Sequence, residues 1–171
     1  MAKLARNRCI FFGRWKLEGS TWEAIGKDND ELSKELNPDT ETSKNVLGET
    51  VMTHSGYEPE VDVDPYYMDP DRAMYAQMLK IAQEELSDEE NCVGEFAEAF
   101  FSTVNESAGT MSGYCYVRDA WFVPQSVGGD TTGLAIPYNV TPIGPMVKKN
   151  IVYTISTNTA TITDITTNGN G

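Results

Sequence analysis

The sequence predicts a mainly β domain of sandwich or barrel character, with one principal α-helix flanking it and one long hairpin projecting from it. Three observations carry that prediction. The second half of the chain alternates its side chains in strand-length runs separated by Gly, Pro and Asn. Only one stretch, opening at Pro70, holds a sustained helical period. The segment from Asn37 to Asp69 is long, polar and punctuated by turn residues.

Taken in order, residues 1–16 are basic and show no clear period, which predicts an arm that orders against a partner. Thr21 to Gly26, "TWEAIG", is a short strand with Trp22 and the β-branched Ile25 before a glycine stop. A turn follows at "KDND". Glu31 to Leu36 reads as a second extended segment, although its Leu and Lys content suits one helical turn equally. Asn37-Pro38-Asp39 is turn chemistry, because Pro forces its predecessor out of the helical region and Asn and Asp bond local backbone. The polar "TETSKN" and the "ETVMTHS" beyond Gly48 then make a long hairpin whose tip leaves the body.

From Tyr57 to Asp64, "YEPEVDVD" places Glu58, Glu60, Asp62 and Asp64 on one face of an extended chain and Tyr57, Val61 and Val63 on the other. Carboxylates roughly 6 to 7 Å apart along a strand are tolerated beside water or cations. The helix is expected over 70–86, with Asp69 as N-cap, Pro70 at the first helical position and Asp71 at the positive end of the dipole. Met74, Tyr75, Met78, Leu79, Ile81, Ala82 and Leu86 form its apolar stripe, read as core rather than a Met-rich ligand surface. Seven acids and no bases between Glu84 and Glu98 oppose the negative end of the dipole and predict a stop before Glu90. "SGYCYVRDAWFVPQS" puts Tyr114, Tyr116, Arg118 and Phe122 on one side and Cys115, Val117, Trp121 and Val123 on the other, with Pro124 ending the strand. Gly128-Gly129 and Gly133 frame a loop, "LAIPYNV" resumes an extended run, and "IVYTIS" with "ATITDIT" makes a terminal hairpin.

At 171 residues and 40% hydrophobic content one core suffices, so a single domain is expected over 17–166, between the basic arm 1–16 and a frayed tail 167–171. The formal charge is −13, and it is unevenly spread. Lys3, Arg6, Arg8, Arg14 and Lys16 precede the first acid, Glu18, whereas 25 acids face six bases from Leu17 to Asp130. Such a surface repels phosphate and argues against free nucleic-acid binding. Cys9, Cys92 and Cys115 are odd in number without CxxC spacing, which fits free thiols in a reducing compartment. No apolar run reaches the length of a membrane span, so the expected product is soluble and cytoplasmic.

No constellation carries chemistry. "GGDTTG" lacks the lysine and following helix of a phosphate loop and is a plain turn. Glu84/Glu85 and Glu89/Glu90 are sequence neighbours that point apart on a helix. His54 and Ser55 are consecutive in a strand and point to opposite faces. Asp62 and Asp64 with Glu60 lack the glycine and spacing of an EF-hand loop. The chain reads as non-enzymatic, with no cofactor and no metal.

"NPDTETSKNVLGETVMTHSGYEPEVDVDPYY", followed by an acidic helix and by "WFVPQSVGGDTTGLAIPYNV", resembles the major tail proteins, or tail tube proteins, of long-tailed bacteriophages of Gram-positive hosts. The likeness runs over roughly residues 20 to 155, and these two motifs are its most specific part. It implies a β-sandwich-like subunit with a flanking helix that joins copies of itself into hexameric rings. Stacked rings form a tube for DNA passage, with inner strands of six subunits closing one barrel. It further implies the tape measure protein and tail-end proteins as partners, and a place in the virion tail after assembly in the host cytoplasm. In that frame Thr40, Glu41, Thr42, Ser43, Lys44, Asn45, Val46 and Leu47 are the expected contact loop between subunits or rings. An acidic lumen would let DNA slide without sticking, the acidic face Glu58, Glu60, Asp62 and Asp64 would front either the bore or the exterior, and the basic arm would meet acidic surface on a neighbour. The inner tube of a contractile tail or of a phage-derived bacteriocin is the nearest alternative. A monomeric β-sandwich module for carbohydrate or a receptor is the alternative from another class, and it requires an exposed aromatic platform.

Overall fold

A computed structural model describes residues 2–165. Its backbone is mainly β, as expected. A short 3-10 turn, Arg6–Arg8, leads into β1 (Cys9–Trp15), then β2 (Glu23–Ile25), β3 (Lys34–Glu35), β4 (Pro38–Lys44), β5 (Thr50–Tyr57) and β6 (Glu60–Val63). Helices α1 (Tyr75–Glu84) and α2 (Glu89–Cys92) follow. The rest is strand: β7 (Val93–Asn105), β8 (Thr110–Pro124), β9 (Gly128–Asp130), β10 (Gly133–Ala135), β11 (Tyr138–Thr154) and β12 (Thr159–Asp164). The expected frayed tail, 167–171, lies outside the described residues.

Eight strands form one antiparallel sheet in the order β2-β1-β7-β8-β11-β6-β3, with β12 also paired to β11. The sheet encloses two cores, and β1 shows how. Consecutive strand residues point to opposite faces, and Phe11 and Phe12 are both buried. Phe11 joins a first cluster with Trp15, Val61, Phe96, Phe122 and Tyr138. Phe12 joins a second, on the opposite face, with Trp22, Ala97, Phe101, Cys115 and Ile151. Helix α1 lays Met78 and Ile81 onto the first core, and β12 adds Ala160 and Ile162 to the second. The long strands β7, β8 and β11 run through both, so the two lobes share their backbone.

Four expectations need correcting. The basic arm was drawn to residue 16, but Cys9–Trp15 is a strand paired with both β2 and β7. It lacks an alternating pattern because both of its faces are buried. The helix begins at Tyr75, not Pro70, and its N-cap Met74 makes no side-chain cap bond. Asp69 accepts from the Asp71 amide at 3.0 Å and closes a turn instead. Tertiary contacts hold the chain there: Arg72 bonds Asp28 at 2.7 Å, and the Met74 carbonyl accepts from Trp15 Nε1 at 3.3 Å. The helix does stop before Glu90, with Glu85 in the left-handed conformation at its C-cap. The extended segment expected over Glu31 to Leu36 shortens to Lys34–Glu35, and Tyr57 belongs to β5 rather than to the buried face of β6.

Candidate assembly surfaces

The β4–β5 hairpin forms a two-stranded sheet of its own. Every residue of β4 is exposed, and of β5 only Gly56 is partly covered. Of the expected contact loop, Thr40 to Lys44 lie in β4 and Asn45, Val46 and Leu47 in the turn. Asn45 builds that turn: its Oδ1 accepts from the Leu47 and Glu49 amides at 2.9 and 3.1 Å, and its Nδ2 donates to Glu49 at 2.8 Å. The tip is thus locally ordered while its apolar side chains face water, Val46 at 102% and Leu47 at 78% exposure. Val51 and Met52, consecutive in β5, add one exposed apolar side chain to each face of the hairpin. A lone hairpin is marginal in water, and exposed apolar groups on one mark a surface that something else covers.

Of the acidic face, Glu60 and Asp62 lie in β6 with Val61 and Val63 buried behind them. Glu58 and Asp64 flank the strand and are exposed. Glu60 is half-buried and accepts from Asn139 Nδ2 at 2.9 Å. Three of the four carboxylates therefore face water freely.

The five basic residues are not gathered into one patch. Arg14 meets Glu95 at 2.5 Å and lies 4.6 Å over the Trp22 ring. Lys16 meets Asp119 at 2.7 Å, and Arg8 donates to the Phe101 carbonyl at 3.0 Å. Arg6 donates to the carbonyls of Cys9 and Leu32. Lys3 is exposed and has no ion pair or hydrogen bond among the described residues. Four of the five cations thus serve the fold of their own chain.

Two features escaped the sequence reading. On the side of β7 and β8 that forms the first core, the strands run on past its edge, and Phe96 and Phe122 give way to Phe100, Tyr114 and Tyr116. Among the described residues Phe100 and Tyr114 are only partly covered and Tyr116 is exposed. Phe100 and Tyr114 stack at 5.7 Å, Tyr114 and Tyr116 meet edge-on at 5.8 Å, and Lys148 Nζ lies 4.5 Å over Tyr114. The alternation of Tyr114 and Tyr116 was legible, but not that their side lay open. The second feature is a buried polar cluster, Glu23, Tyr66, Arg72 and Asp28, which ties β2 to the segment before α1. Burial pushes the Glu23 carboxyl up, against the pull of the Tyr66 hydroxyl and the Arg72 charge. An apolar groove also opens beneath the end of α1, lined by Ile81, Leu86, Trp121 and Val127 with Glu85 at its border.

Burial likewise raises the pKa of all three thiols, that of Cys115 to about 11, so each is protonated and weakly nucleophilic near neutrality. His54 Nδ1 accepts from the Gly56 amide at 3.1 Å, a local turn contact. Among the described residues no group of three or more His, Cys, Asp or Glu is arranged to hold a metal ion, and no helix is long and apolar enough to cross a membrane.

No protein-family model matches the chain, and no curated protein matches it. Among solved structures it is similar to the sheath/tube terminator of an extracellular contractile injection system, PVC, in the extended state. That match has a TM-score of 0.48 and 11% identity, and covers 86% of this chain and 97% of that one. It is also similar to a chain of the PVC sheath-tube complex in the extended state, with TM-score 0.48, 10% identity and 85% and 90% of the two chains covered. A third similarity is to the tube-terminating cap of the anti-feeding prophage, with TM-score 0.47, 12% identity and 86% and 91% coverage.

Proposed function

We propose that the chain is a structural, non-enzymatic subunit of a phage-type tail tube, which assembles with copies of itself into stacked hexameric rings. The observation that carries this reading is the β4–β5 hairpin, an ordered element whose apolar tip is exposed among the described residues of its own subunit. An element so built gains stability only in an assembly. The motif resemblance supplies the kind of assembly, and the charge fits its task. A formal charge of −13 gives a conduit wall little cation to displace counterions from DNA, so the genome passes without binding. The tape measure and tail-end proteins are the further partners in this reading, and the virion tail is its location.

The test is electron microscopy of the purified protein at increasing concentration. Hollow tubes or six-membered rings are the expected result. A protein that sediments as a monomer at every concentration overturns the reading. It would favour a carbohydrate-binding module using the Phe100, Tyr114 and Tyr116 rings.

A further inference from the structure

The open aromatic face and the hairpin tip are two apolar surfaces that this fold leaves exposed, and their chemistry is complementary. The face is a continuation of a core surface: its strands bury Phe96 and Phe122 and then expose Tyr116 at 37%. Met146, at 57% exposure, and the half-buried Cys9 border the same depression. The net charge beside this face is positive. Lys148 is exposed and lies over the ring faces, and the adjoining depression is lined by Arg6, Arg8 and Lys34 against one carboxylate, Glu98, which Lys34 pairs. The hairpin carries the opposite sign, with Asp39, Glu41 and Glu49 against Lys44 alone, around the exposed Val46, Leu47 and Met52.

We propose that this aromatic face receives the hairpin tip of a second copy of the chain, with Val46 and Leu47 on the Phe100, Tyr114 and Tyr116 rings and the hairpin carboxylates beside Lys148. The proposal rests on the tube reading and adds to it the surface that each hairpin meets. Donor and acceptor are different surfaces of one chain, so a head-to-tail contact leaves one of each free and propagates from copy to copy, as a ring or a stack requires. The competing acceptor is the groove beneath the end of α1, which is equally apolar. It is bordered by Glu85, with Asp88, Glu89 and Glu90 exposed in the segment that follows, and like charge there disfavours an acidic hairpin.

Photo-cross-linking of the full chain tests this, with benzoylphenylalanine in place of Val46 and the products mapped by mass spectrometry. Adducts between chains should fall on Phe100, Tyr114, Tyr116 or Met146. Either Tyr116→Asp or Lys148→Glu should lower their yield by about tenfold. Both positions are exposed, so circular dichroism should show an unchanged fold. Tubes that form while the adducts map to Leu86, Trp121 or Val127, or elsewhere, overturn this contact and leave the tube reading intact. A monomer with no adduct between chains overturns both.

Discussion

The Tyr66 hydroxyl oxygen lies 3.0 and 3.2 Å from the two carboxylate oxygens of Glu23, a residue only 5% exposed. Glu23 sits in β2 at the rim of the sheet, and Tyr66 precedes α1, so this contact fastens an edge strand to a loop. Arg72 lies 4.6 Å over the Tyr66 ring and bonds Asp28 at 2.7 Å. The cluster brings a carboxylate into the apolar interior, supported by the Tyr66 hydroxyl, the Met74 backbone and the nearby Arg72 cation.

That arrangement makes stability depend on pH with a definite sign. Burial raises the Glu23 pKa in the folded protein, so the native state holds this proton more tightly than the unfolded chain does. The associated stability is fully present below the ordinary Glu value of about 4.3 and is lost as pH rises through the raised folded value. Glu23→Gln keeps an acceptor for Tyr66 and removes the titration. The Tm of wild type minus that of E23Q should therefore become more negative between about pH 4 and pH 7. A difference that stays flat across that range would show that Glu23 titrates as it does in the unfolded chain.

The two cores predict a further pair of outcomes. Phe122 is fully buried in the first lobe, with Trp15 at 5.2 Å and Tyr138 at 6.1 Å between ring centres. Phe101 is fully buried in the second, with Phe12 at 6.3 Å. Each Phe→Ala change should cost about 3 to 5 kcal/mol in denaturant unfolding. Because β7, β8 and β11 belong to both lobes, each variant should still unfold in one transition seen alike by fluorescence and circular dichroism. Separate transitions would mean that the lobes are independent.

Backbone approach gives a sharper contrast between two glycines. A Cβ on Gly113 would stand 1.9 Å from the Phe100 carbonyl oxygen, beside the β7 bulge between Phe101 and Thr103. A Cβ on Gly128 would meet nothing within 4 Å. Gly113→Ala should lower stability by about 2 kcal/mol or more and Gly128→Ala by less than about 0.5 kcal/mol, measured by chemical denaturation. Equal effects at both sites would remove close strand approach as the cause.

These positions also mark where the sequence was legible. Tyr114 to Val123 alternates with period two, but along β8 the buried side changes from Cys115 and Val117 to Ala120 and Phe122 as the strand passes from one core to the other. The Asn37 to Tyr57 hairpin announced itself by turn residues and polarity, because such a segment cannot be buried. Strand β1 stayed hidden for the opposite reason: "CIFFGRW" is buried on both faces, so it has no period, and the cations around it dominate the local composition. Strand β7 is masked in the sequence by its acids, Glu95 and Glu98, which resemble a solvated run although they meet Arg14 and Lys34 across the fold. Strand β11 is broken up in the sequence by Pro142, Gly144 and Pro145, which interrupt it at a bulge between Ile143 and Val147. The Asp69-Pro70 signal is real turn chemistry that tertiary contacts diverted from a helix cap. Partners distant in sequence, such as Asp28 with Arg72 or Glu23 with Tyr66, leave no local trace.

Truncation of the N-terminus separates its two parts. Removing residues 2–5 takes away only exposed chain, so the fold should persist with Tm within about 2 °C of wild type. Removing residues 1–16 deletes β1 with Phe11, Phe12 and Trp15 from both cores, and the product should not fold by circular dichroism. A folded product of the longer deletion would contradict the central place of β1. If the shorter deletion alone reduces tube length, Lys3 is the cation of the arm that acts between subunits.

The hairpin can be tested apart from the fold because its base is already closed by pairing. Pro38 and Tyr57 are opposite one another, so residues 39–56 can be replaced by Asn-Gly, the pair that suits a two-residue hairpin turn. The deleted segment is exposed throughout apart from partial cover at Gly56, and it forms a sheet separate from the main one. Its loss should change unfolding free energy by no more than about 0.5 kcal/mol. On the proposed tube reading, self-association should be abolished, as read by sedimentation velocity and electron microscopy beside the wild type at matched concentrations. A shortened variant that assembles as the wild type does would dismiss the hairpin as the joining element. One that is strongly destabilised would show that it supports its own subunit.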